Sequence, residues 1–296
     1  MGSVTIQVPA TSANLGPGFD SFGCALALYN TYTFEQISGG LEIYGCDEEF
    51  RNRDNLSVVS YRYAMEALGL PMEPLSLTID AHIPVCRGLG SSSAMIIGGV
   101  MAANALHGSP LSREELLRLC TVVEGHPDNL APALYGGMTA SLMRDGMPIT
   151  ACFPLSERLR FFALVPPFHL STQTARAVLP QRVPFADAVF NVSHAALLLR
   201  ALETADIDMI ALALDDRLHQ PYRKGLIEGY EVAEQTARDC GVRAFCISGA
   251  GPTCLCIADN DEVGDRLIAA VRQQSALAGW EVLPLRVDTE GAKLLA

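Results

Sequence analysis

Glycine and serine side chains are concentrated in one segment, Ile83–Ala94, which reads I-P-V-C-R-G-L-G-S-S-S-A. Gly88 and Gly90 have no Cβ, so a bulky ligand can approach the backbone there and the chain can adopt positive φ angles. Ser91–Ser93 then begin a predicted helix, whose first N–H groups have no partners inside the helix. Free N–H donors at the positive end of a helix dipole bind phosphate groups. The first hypothesis for this chain is therefore a site for the phosphates of ATP.

This loop differs from the two most common nucleotide-binding motifs. No lysine follows the second glycine, as G-x-x-x-x-G-K-[ST] requires, and Ser93 stands where G-x-G-x-x-G has its third glycine. A serine-capped helix after a tight glycine turn explains the loop equally well when it is taken alone, because such turns and caps are common. The decision between the two interpretations depends on other segments.

A second polar cluster, Glu124–Asn129, reads E-G-H-P-D-N and follows a helix that opens with the capping box Ser112–Glu115. A carboxylate near a phosphate site is a suitable ligand for Mg²⁺, which takes oxygen ligands, and a serine hydroxyl of the loop is a suitable second one. Glu124 is therefore a candidate metal ligand. A helix end followed by a turn is the alternative, and His126 alone would more often be structural.

A third constrained segment, Pro9–Asp20, reads P-A-T-S-A-N-L-G-P-G-F-D. Three polar side chains, Thr11, Ser12 and Asn14, precede a rigid Gly-Pro-Gly turn and the carboxylate of Asp20. Such restriction is useful where a binding site must be formed in advance. An ordinary β-turn with an Asx cap is the alternative, since it uses the same residue types.

Two arginines stand beside constrained turns in a chain that has few basic residues. Arg176 ends the segment S-T-Q-T-A-R, and Arg223 follows Pro221. The fork of a guanidinium group suits a carboxylate better than lysine does. Solvated arginines or surface ion pairs are an equally good interpretation of each residue alone.

The hydrophobic pattern predicts an α+β protein in which strands and helices surround these segments. The predicted strands are 4–8, 25–34, 41–44, 75–79, two between 139 and 153, 161–165, 244–248, 254–258 and 280–287. The predicted helices are 55–68, one from 91 to 106, one from the capping box at 112, and 185–202, 208–214, 226–239 and 261–274. A boundary near 154–158 divides the chain into an N-terminal domain, 1–156, and a C-terminal domain, 157–296.

Composition limits the classes of function. Lys and Arg number 21 against 33 Asp and Glu, a net charge of −12, which argues against nucleic-acid and anionic-membrane partners. The nine cysteines include no C-x-x-C pair, which predicts buried thiols in a reducing cytoplasm. We expect no signal peptide and no apolar run of membrane-spanning length.

Taken together, the motifs resemble a known family. The loop I-P-x-x-R-G-L-G-S-S-S-A without a following lysine, and S-G-A-G-P-T near the C-terminus, are similar to the GHMP small-molecule kinases. Within that family, P-A-T-S-A-N-L-G-P-G-F-D, E-G-H-P-D-N and S-T-x-x-A-R-x-x-L-P resemble the members that phosphorylate homoserine. These motifs extend from Pro9 to Thr253, so the resemblance covers nearly the whole chain.

The resemblance implies a fold and a reaction. The fold is a two-domain α+β GHMP kinase, with an ATP-binding N-terminal domain like domain 2 of ribosomal protein S5 and a ferredoxin-like C-terminal domain. The reaction is phosphorylation of L-homoserine to O-phospho-L-homoserine in threonine biosynthesis, with ATP and Mg²⁺. The implied partner is this small molecule, in the cytoplasm, without nucleic acid or membrane, and with a possible homodimer.

The resemblance also implies site residues, by motif position. The residues implied for the ATP phosphates are Pro84, Arg87, Gly88, Leu89, Gly90, Ser91, Ser92 and Ser93, and those for Mg²⁺ are Ser92 and Glu124. The residues implied for the substrate are Asn14, Asp20, His126, Asn129, Thr172, Arg176, Arg223 and Gly249. Catalysis is assigned to Asn129, Ser92 and Glu124.

Chemistry suggests how the substrate residues divide their roles. Asp20 is expected to hold an amino group, while Arg176 and Arg223 hold a carboxylate, and Asn129 lies beside the attacking hydroxyl. Some family members carry an aspartate base where this chain has Asn129. The resemblance implies catalysis without a dedicated base, which is physically reasonable because a loose phosphoryl-transfer transition state needs mostly alignment and charge neutralisation. Whether any residue acts as a general base stays open from the sequence.

Three alternatives stay open from the sequence. A kinase of the same family for another small alcohol is the nearest alternative, and the two arginines favour an amino-acid carboxylate over it. A non-catalytic binding protein would not need Glu124 or the intact serines. A nucleic-acid binder is disfavoured by the net charge, and fold alone does not define function.

Overall fold

The computed structural model describes residues 2–295. The strands are β1 Ser3–Ala13, β2 Phe22–Gln36, β3 Leu41–Tyr44, β4 Leu75–Asp80, β5 Met138–Arg144, β6 Met147–Phe153, β7 Arg160–Val165, β8 Ala244–Ile247, β9 Cys254–Ala258, β10 Glu281–Leu285 and β11 Lys293–Leu295. The helices are α1 Leu56–Ala67, α2 Ser91–Leu106, α3 Arg113–Glu124, α4 Leu130–Tyr135, α5 Thr172–Ala177, α6 Phe185–Thr204, α7 Ile207–Ala213, α8 Gln220–Arg223, α9 Tyr230–Asp239 and α10 Glu262–Gln273.

The first sheet has the strand order β11-β1-β2-β4-β3, and β5 extends it by pairing with β2 and β6. Helix α2 packs against β1 and against α1 and α3. Two glycines allow this close approach, since a Cβ on Gly98 would lie 2.6 Å from the Tyr32 ring and one on Gly99 2.2 Å from the Ser57 carbonyl oxygen. The N-terminus of α2 lies in the segment Ile83–Ala94, which we call the phosphate loop after its predicted ligand, and is thereby fixed against the sheet.

The second sheet has the order β10-β7-β9-β8, and all of its strand pairs are antiparallel. Helices α5 to α9 connect β7 to β8, and α10 connects β9 to β10, so the segment has the βαββαβ order of a ferredoxin-like unit. The predicted α+β fold is confirmed. The division into 1–156 and 157–296 stays a prediction; the sheets separate between Phe153 and Arg160, and β11 returns to pair with β1.

Strand β7 links the two hydrophobic cores. Phe161 and Ala163 are buried in the larger core, which includes the first sheet, whereas Phe162 and Leu164 are buried in the smaller core with α9 and α10. This alternation follows from the two-residue period of a strand. Because both cores pack on the same strand, the two halves of the chain, and the walls of a cleft between them, are held together.

Two predicted boundaries differ from the structure by four or more residues. The sequence pattern predicts a loop at residues 9–13, but β1 continues to Ala13, with a register shift between Pro9 and Ala10. A proline has no N–H for the ladder, so it is tolerated at such an irregularity. The predicted helix 226–239 begins only at Tyr230, because Gly229 has a φ of 84°, which is incompatible with a helix interior.

The prediction of buried thiols holds for only part of the cysteines. Six of them are buried, and burial raises the pKa of Cys24 and Cys246 to about 12. Cys86 and Cys152 are exposed, because one lies in the phosphate loop and the other in the β5–β6 hairpin. All nine are free thiols.

The expectation of no membrane-length apolar run was wrong for α6. This 20-residue helix is long and apolar enough to cross a membrane by length and composition, with a mean hydropathy of 1.3 in its most apolar window. Only 22% of that window is buried, and Phe185, Val189 and Val192 are exposed. Its Asn191 amide is buried and donates to Asp216 and to the Pro17 carbonyl, which attaches the helix to the rest of the fold.

Gly23 allows β2 to pack against the loop that precedes α4, and we predict that Gly23→Ala is destabilising. A Cβ there would lie 1.9 Å from the carbonyl oxygen of Asp128, and backbone cannot move aside cheaply. We expect a loss of about 1–3 kcal/mol in the free energy of unfolding, as overpacking typically causes. Urea denaturation measures it.

Gly39→Ala is the matched control, since a Cβ added at Gly39 would meet no atom within 4 Å and the residue has no positive φ. We expect it to change the stability by less than about 0.5 kcal/mol. Equal unfolding midpoints for the two variants would contradict this packing argument.

Candidate active site

A cleft of about 280 Å³ lies where β1, the start of α2, the end of α3 and the β8–β9 turn meet. Fifteen of the residues predicted for the site line it: Asn14, Asp20, Arg87, Gly88, Gly90, Ser91, Ser92, Ser93, Glu124, His126, Asn129, Thr172, Arg176, Arg223 and Gly249. Pro84 and Leu89 are not in its lining, and the Leu89 side chain is fully buried in the larger core. Segments that lie far apart in the chain therefore form one site.

The phosphate loop reaches this cleft with glycines in left-handed conformations. Gly88 and Gly90 have φ angles of 76° and 74°, and a Cβ on Gly88 would lie 2.3 Å from the Ser248 carbonyl oxygen. Within residues 2–295, the backbone N–H groups of Ser91–Ser93 find no acceptor, as expected for the first turn of α2. The loop therefore presents free donors at the positive end of a 16-residue helix.

Arg87, predicted for the phosphate site, uses its guanidinium group elsewhere. Its Nε donates to the Pro166 carbonyl at 2.9 Å, its Nη2 to Pro167 at 3.0 Å and its Nη1 to Val85 at 3.1 Å. Two of these carbonyls follow β7, in the second half of the chain. The side chain thus ties the loop to the segment after β7.

Serine and carboxylate oxygens meet at the start of α2. The Ser92 hydroxyl donates to Glu124 Oε2 at 2.7 Å, and the Ser93 hydroxyl donates to Oε1 at 3.4 Å. Glu124 is the last residue of α3, and Gly125 ends that helix with a φ of 95°. This set of oxygen donors has the chemistry that a hard divalent cation requires.

Asp20 and Arg176 form a bidentate ion pair inside the cleft. The Nη2–Oδ1 distance is 2.7 Å and the Nη1–Oδ2 distance is 2.9 Å. Both side chains are half-buried, and the hydrogen bond to Asp20 raises the pKa of Arg176 above its ordinary value. Arg176 lies on the short helix α5, which Ser171 caps by accepting from the Thr174 N–H.

Arg223 is almost completely buried in the wall of the cleft. Its Nε donates to the Ala175 carbonyl, and its Nη1 contacts the Gly249 carbonyl and His219 Nδ1 at 3.2 and 3.3 Å. Burial lowers the pKa of Arg223 to about 10, so the group stays cationic at neutral pH. The ring of Phe19 lies beside it, 5.1 Å from Cζ.

His219 supports Arg223 from the side away from the cleft and is not among the residues predicted from the sequence. Its Nε2 donates to the Gly16 carbonyl at 2.8 Å, which leaves Nδ1 as the acceptor toward Arg223. Burial lowers the pKa of His219, in agreement with a neutral ring. Asp216 accepts from the backbone N–H groups of His219 and Gln220 and thereby fixes this turn.

Asn14 holds two other site residues in place. Its Nδ2 donates to the Gly249 carbonyl at 2.8 Å, and its Oδ1 accepts from the Asp20 N–H at 2.9 Å. Asn14 and Asp20 have positive φ angles, 67° and 54°, which are unfavourable for residues with a Cβ. These hydrogen bonds maintain the strained turn that directs Asp20 into the cleft.

The cluster Glu124–Asn129 supplies a third group of contacts. Asp128 is buried and accepts from Asn129 N at 3.0 Å, and its Oδ1 lies 2.6 Å from His126 Nδ1. This hydrogen bond raises the pKa of His126. The Asn129 side chain lines the cleft and accepts a hydrogen bond of 2.7 Å from the Thr11 hydroxyl.

The apolar part of the lining is also absent from the predicted site. Leu56, Val85, Met95 and Leu170 lie in the cleft wall, and Leu56 directly follows Asn55, the N-cap of α1. Asp128 stands inside the motif E-G-H-P-D-N, so its position was a usable signal. His219 offered none, because its partner Gly16 lies about 200 residues away.

Comparison with known proteins identifies the family. The model of the GHMP kinases N terminal domain matches residues 55–137, and that of the GHMP kinases C terminal matches residues 198–276. A homoserine kinase of Clostridium beijerinckii is 39% identical over 295 residues, which is 99% of this chain and 98% of the relative.

Solved structures agree in fold. A homoserine kinase from Cytophaga hutchinsonii has a TM-score of 0.90 and 26% identity, over 100% of this chain and 98% of the other. A putative homoserine kinase from Listeria monocytogenes has a TM-score of 0.80 and 30% identity, over 99% of both chains. On this evidence the chain belongs to the GHMP kinase family, among its homoserine kinases.

Proposed function

We propose that this chain transfers the γ-phosphoryl group of ATP to the side-chain hydroxyl of L-homoserine. A bond forms between the homoserine oxygen and the γ-phosphorus as the bond from that phosphorus to the ADP oxygen breaks. The hydroxyl proton passes to an oxygen of the transferred phosphoryl group. The products are ADP and O-phospho-L-homoserine, an intermediate on the way to threonine, as the names of the relatives imply.

The Asp20–Arg176 ion pair is the observation that carries this proposal. A carboxylate and a guanidinium, 2.7 Å apart beside the phosphate loop, match the ammonium and carboxylate groups of an amino acid. A zwitterion can replace both halves of the pair at once. A ligand with only one of the two charges would leave the other residue without its partner, which is costly where water is limited. The cleft is therefore suited to an amino acid that carries a hydroxyl group.

Arg223 and Thr172 complete the substrate end. Arg223 adds a second cation whose position is fixed by carbonyl groups and His219, so it can accept a carboxylate without rearrangement. Thr172 begins α5, one turn before Arg176, and lines the same wall with its exposed side chain. Gly249 contributes a buried backbone with a φ of 59°, where a side chain would be strained.

The phosphate end relies on backbone donors. The free N–H groups at the start of α2 bind the negative charge of ATP, and Gly88 and Gly90 allow the left-handed conformations in which the loop presents them. The apolar residues of the cleft lining, such as Leu56, Val85 and Met95, suit a flat purine ring. Arg87 contributes indirectly, by holding the loop against the segment after β7.

Ser92 and Glu124 would hold Mg²⁺, since a hydroxyl and a carboxylate oxygen already lie 2.7 Å apart there. Bound to ATP, the ion supplies neutralisation of phosphate charge in the transition state. Mg²⁺ keeps several waters and needs only one or two protein ligands, which this small set of oxygens can provide.

Asn129 and His126 line the cleft, and we assign them to the alignment of the attacking hydroxyl. An amide cannot take up a proton, so Asn129 acts by hydrogen bonding and position. His126 is held by a hydrogen bond to Asp128, which raises the pKa of the ring. Cytoplasmic location and a homodimer stay predictions.

The proposed function is tested by ADP release from MgATP with L-homoserine, mevalonate, galactose or L-serine. We expect rapid turnover with L-homoserine alone, because only this alcohol carries both charges and the longer side chain. L-Serine is the matched control, since it keeps the zwitterion but lacks one methylene group. Preference for mevalonate or galactose would contradict the roles of Asp20, Arg176 and Arg223.

Removal of the carboxylate-binding side chain by Arg176→Ala is expected to raise the KM for L-homoserine by about 10- to 100-fold, the effect of losing a hydrogen bond to a charged group. The KM for ATP should change by less than about threefold, because the phosphates contact other elements. Steady-state kinetics with each substrate varied in turn measure both values.

Arg238→Ala is the control for this variant, since Arg238 forms a surface ion pair of 2.7 Å with Glu234 and lies outside the cleft lining. Equal changes in both KM values for Arg176→Ala would count against the assignment.

Glu124→Gln tests the metal site. The amide keeps the size of the side chain but has no negative charge for Mg²⁺. We expect the Mg²⁺ concentration for half-maximal rate to rise by at least ~10-fold, a loss that even outer-shell partners of a metal cause. Glu114→Gln, on the exposed first turn of α3, should leave it unchanged. An unaltered Mg²⁺ dependence of Glu124→Gln would exclude this residue as a ligand.

A further inference from the structure

Thr11 is a buried residue that bonds both to the phosphate loop and to Asn129. It lies on β1 with none of its surface exposed, and it is paired with Ala25 of β2. Its backbone N–H donates to the Leu89 carbonyl of the phosphate loop at 3.1 Å. Its hydroxyl donates to Asn129 Oδ1 at 2.7 Å. One residue therefore bonds both to the loop that binds phosphate and to the side chain beside the attacking hydroxyl.

The phosphate loop is packed directly on this hydroxyl. A Cβ on Gly90 would lie 2.0 Å from Thr11 Oγ1. Any residue other than glycine at position 90 would therefore displace either the loop or the Thr11 side chain. The distance between the loop and Asn129 is thus set by contact through a single side chain. In a phosphoryl transfer, this is the distance that aligns the nucleophile with the γ-phosphorus.

The contact also orients the Asn129 amide. The Asn129 backbone is already fixed, since its N–H donates to Asp128 and its carbonyl accepts from Ala133, so the rotation of the side chain is the remaining freedom. The buried hydroxyl proton of Thr11 needs an acceptor, and leaving such a donor unsatisfied costs about 1–3 kcal/mol. Asn129 therefore turns its oxygen toward Thr11 and its NH₂ group toward the cleft.

We infer that Thr11 is a positioning residue, which orients Asn129 as a hydrogen-bond donor and sets its distance from the phosphate loop. This inference rests on the proposed function. With its oxygen occupied, Asn129 presents only donors to the reactants, which suits a phosphoryl oxygen that gains charge in the transition state. The hydroxyl proton then leaves without help from Asn129.

The test is a double-mutant cycle of Thr11→Val and Asn129→Ala with L-homoserine and MgATP. Valine keeps the shape of threonine without the hydroxyl, so Asn129 is free to rotate. We expect Thr11→Val to lower kcat by ~10- to 100-fold, as small misplacements of reacting groups do, with both KM values within about threefold. In the Asn129→Ala background the same change should alter kcat by less than about twofold.

Two further variants separate positioning from packing. Thr11→Ser keeps the hydroxyl and should retain kcat within about threefold, since the hydrogen bond survives the loss of one methyl group. Thr5→Val is the matched control, because Thr5 is on the same strand and also makes one side-chain hydrogen bond, to Thr33 at 2.9 Å. It should have the kcat of the wild type.

An independent measurement needs no variant at Thr11. In ¹⁵N–¹H spectra of the wild type, the two Nδ2 protons of Asn129 should shift when a non-hydrolysable ATP analogue and L-homoserine are added, because they face the cleft. Asn129→Ala identifies the signals. Signals that do not move would show an amide turned toward Thr11 and would overturn the inference.

The kinetic outcomes are also separable. An equal loss of kcat for Thr11→Val in both backgrounds, or a Thr11→Ser variant as slow as Thr11→Val, overturns the positioning role while the proposed function stands. A wild type that does not phosphorylate L-homoserine overturns the proposed function and this inference with it.

Discussion

The close approach of the phosphate loop to the backbone around it is the constraint on which the site depends. At Gly88 and Gly90, a Cβ would lie 2.3 Å from the Ser248 carbonyl oxygen and 2.0 Å from the Thr11 hydroxyl. The loop therefore lies between β1 and the β8–β9 turn with no room for side chains. Because Ser248 and Thr11 come from opposite ends of the chain, this contact joins the two halves beside the proposed site for the phosphates.

The net charge of the chain explains why the site needs local hydrogen-bond donors for its anionic ligands. The chain has a net charge of −12, yet the proposed reaction brings together the phosphates of ATP and a carboxylate. A net negative chain gives these anions no long-range attraction, so local donors have to hold both of them. In the proposed reaction, backbone N–H groups at the start of α2 hold the phosphates, and Arg176 and Arg223 hold the carboxylate.

The sequence predicts which segments form the site but only part of what their side chains do. Motif position places Ser92, Glu124 and Arg176 in one cleft, because their types and spacing carry the chemistry. The hydrogen bonds from Arg87 to carbonyl groups cannot be predicted from the sequence. Two of its partners are about 80 residues away, and all of them are backbone atoms. Residues 9–13 show the same limit in the fold: their types are typical of turns, whereas the pairing with β2 that keeps them extended is a tertiary contact.

The three arginines of the cleft differ in the partners that their guanidinium groups already have in the protein. Arg87 donates to carbonyl groups on all sides and Arg223 is buried among carbonyls and His219, so neither is free to move toward a ligand. Arg176 alone is paired with a carboxylate, and that pair is half exposed to the cleft. Its bonds are therefore the ones that a ligand can exchange without disturbing the fold. In the proposed function, the exchangeable pair would select a zwitterion, and the groups that are already fixed would hold its reacting hydroxyl in position.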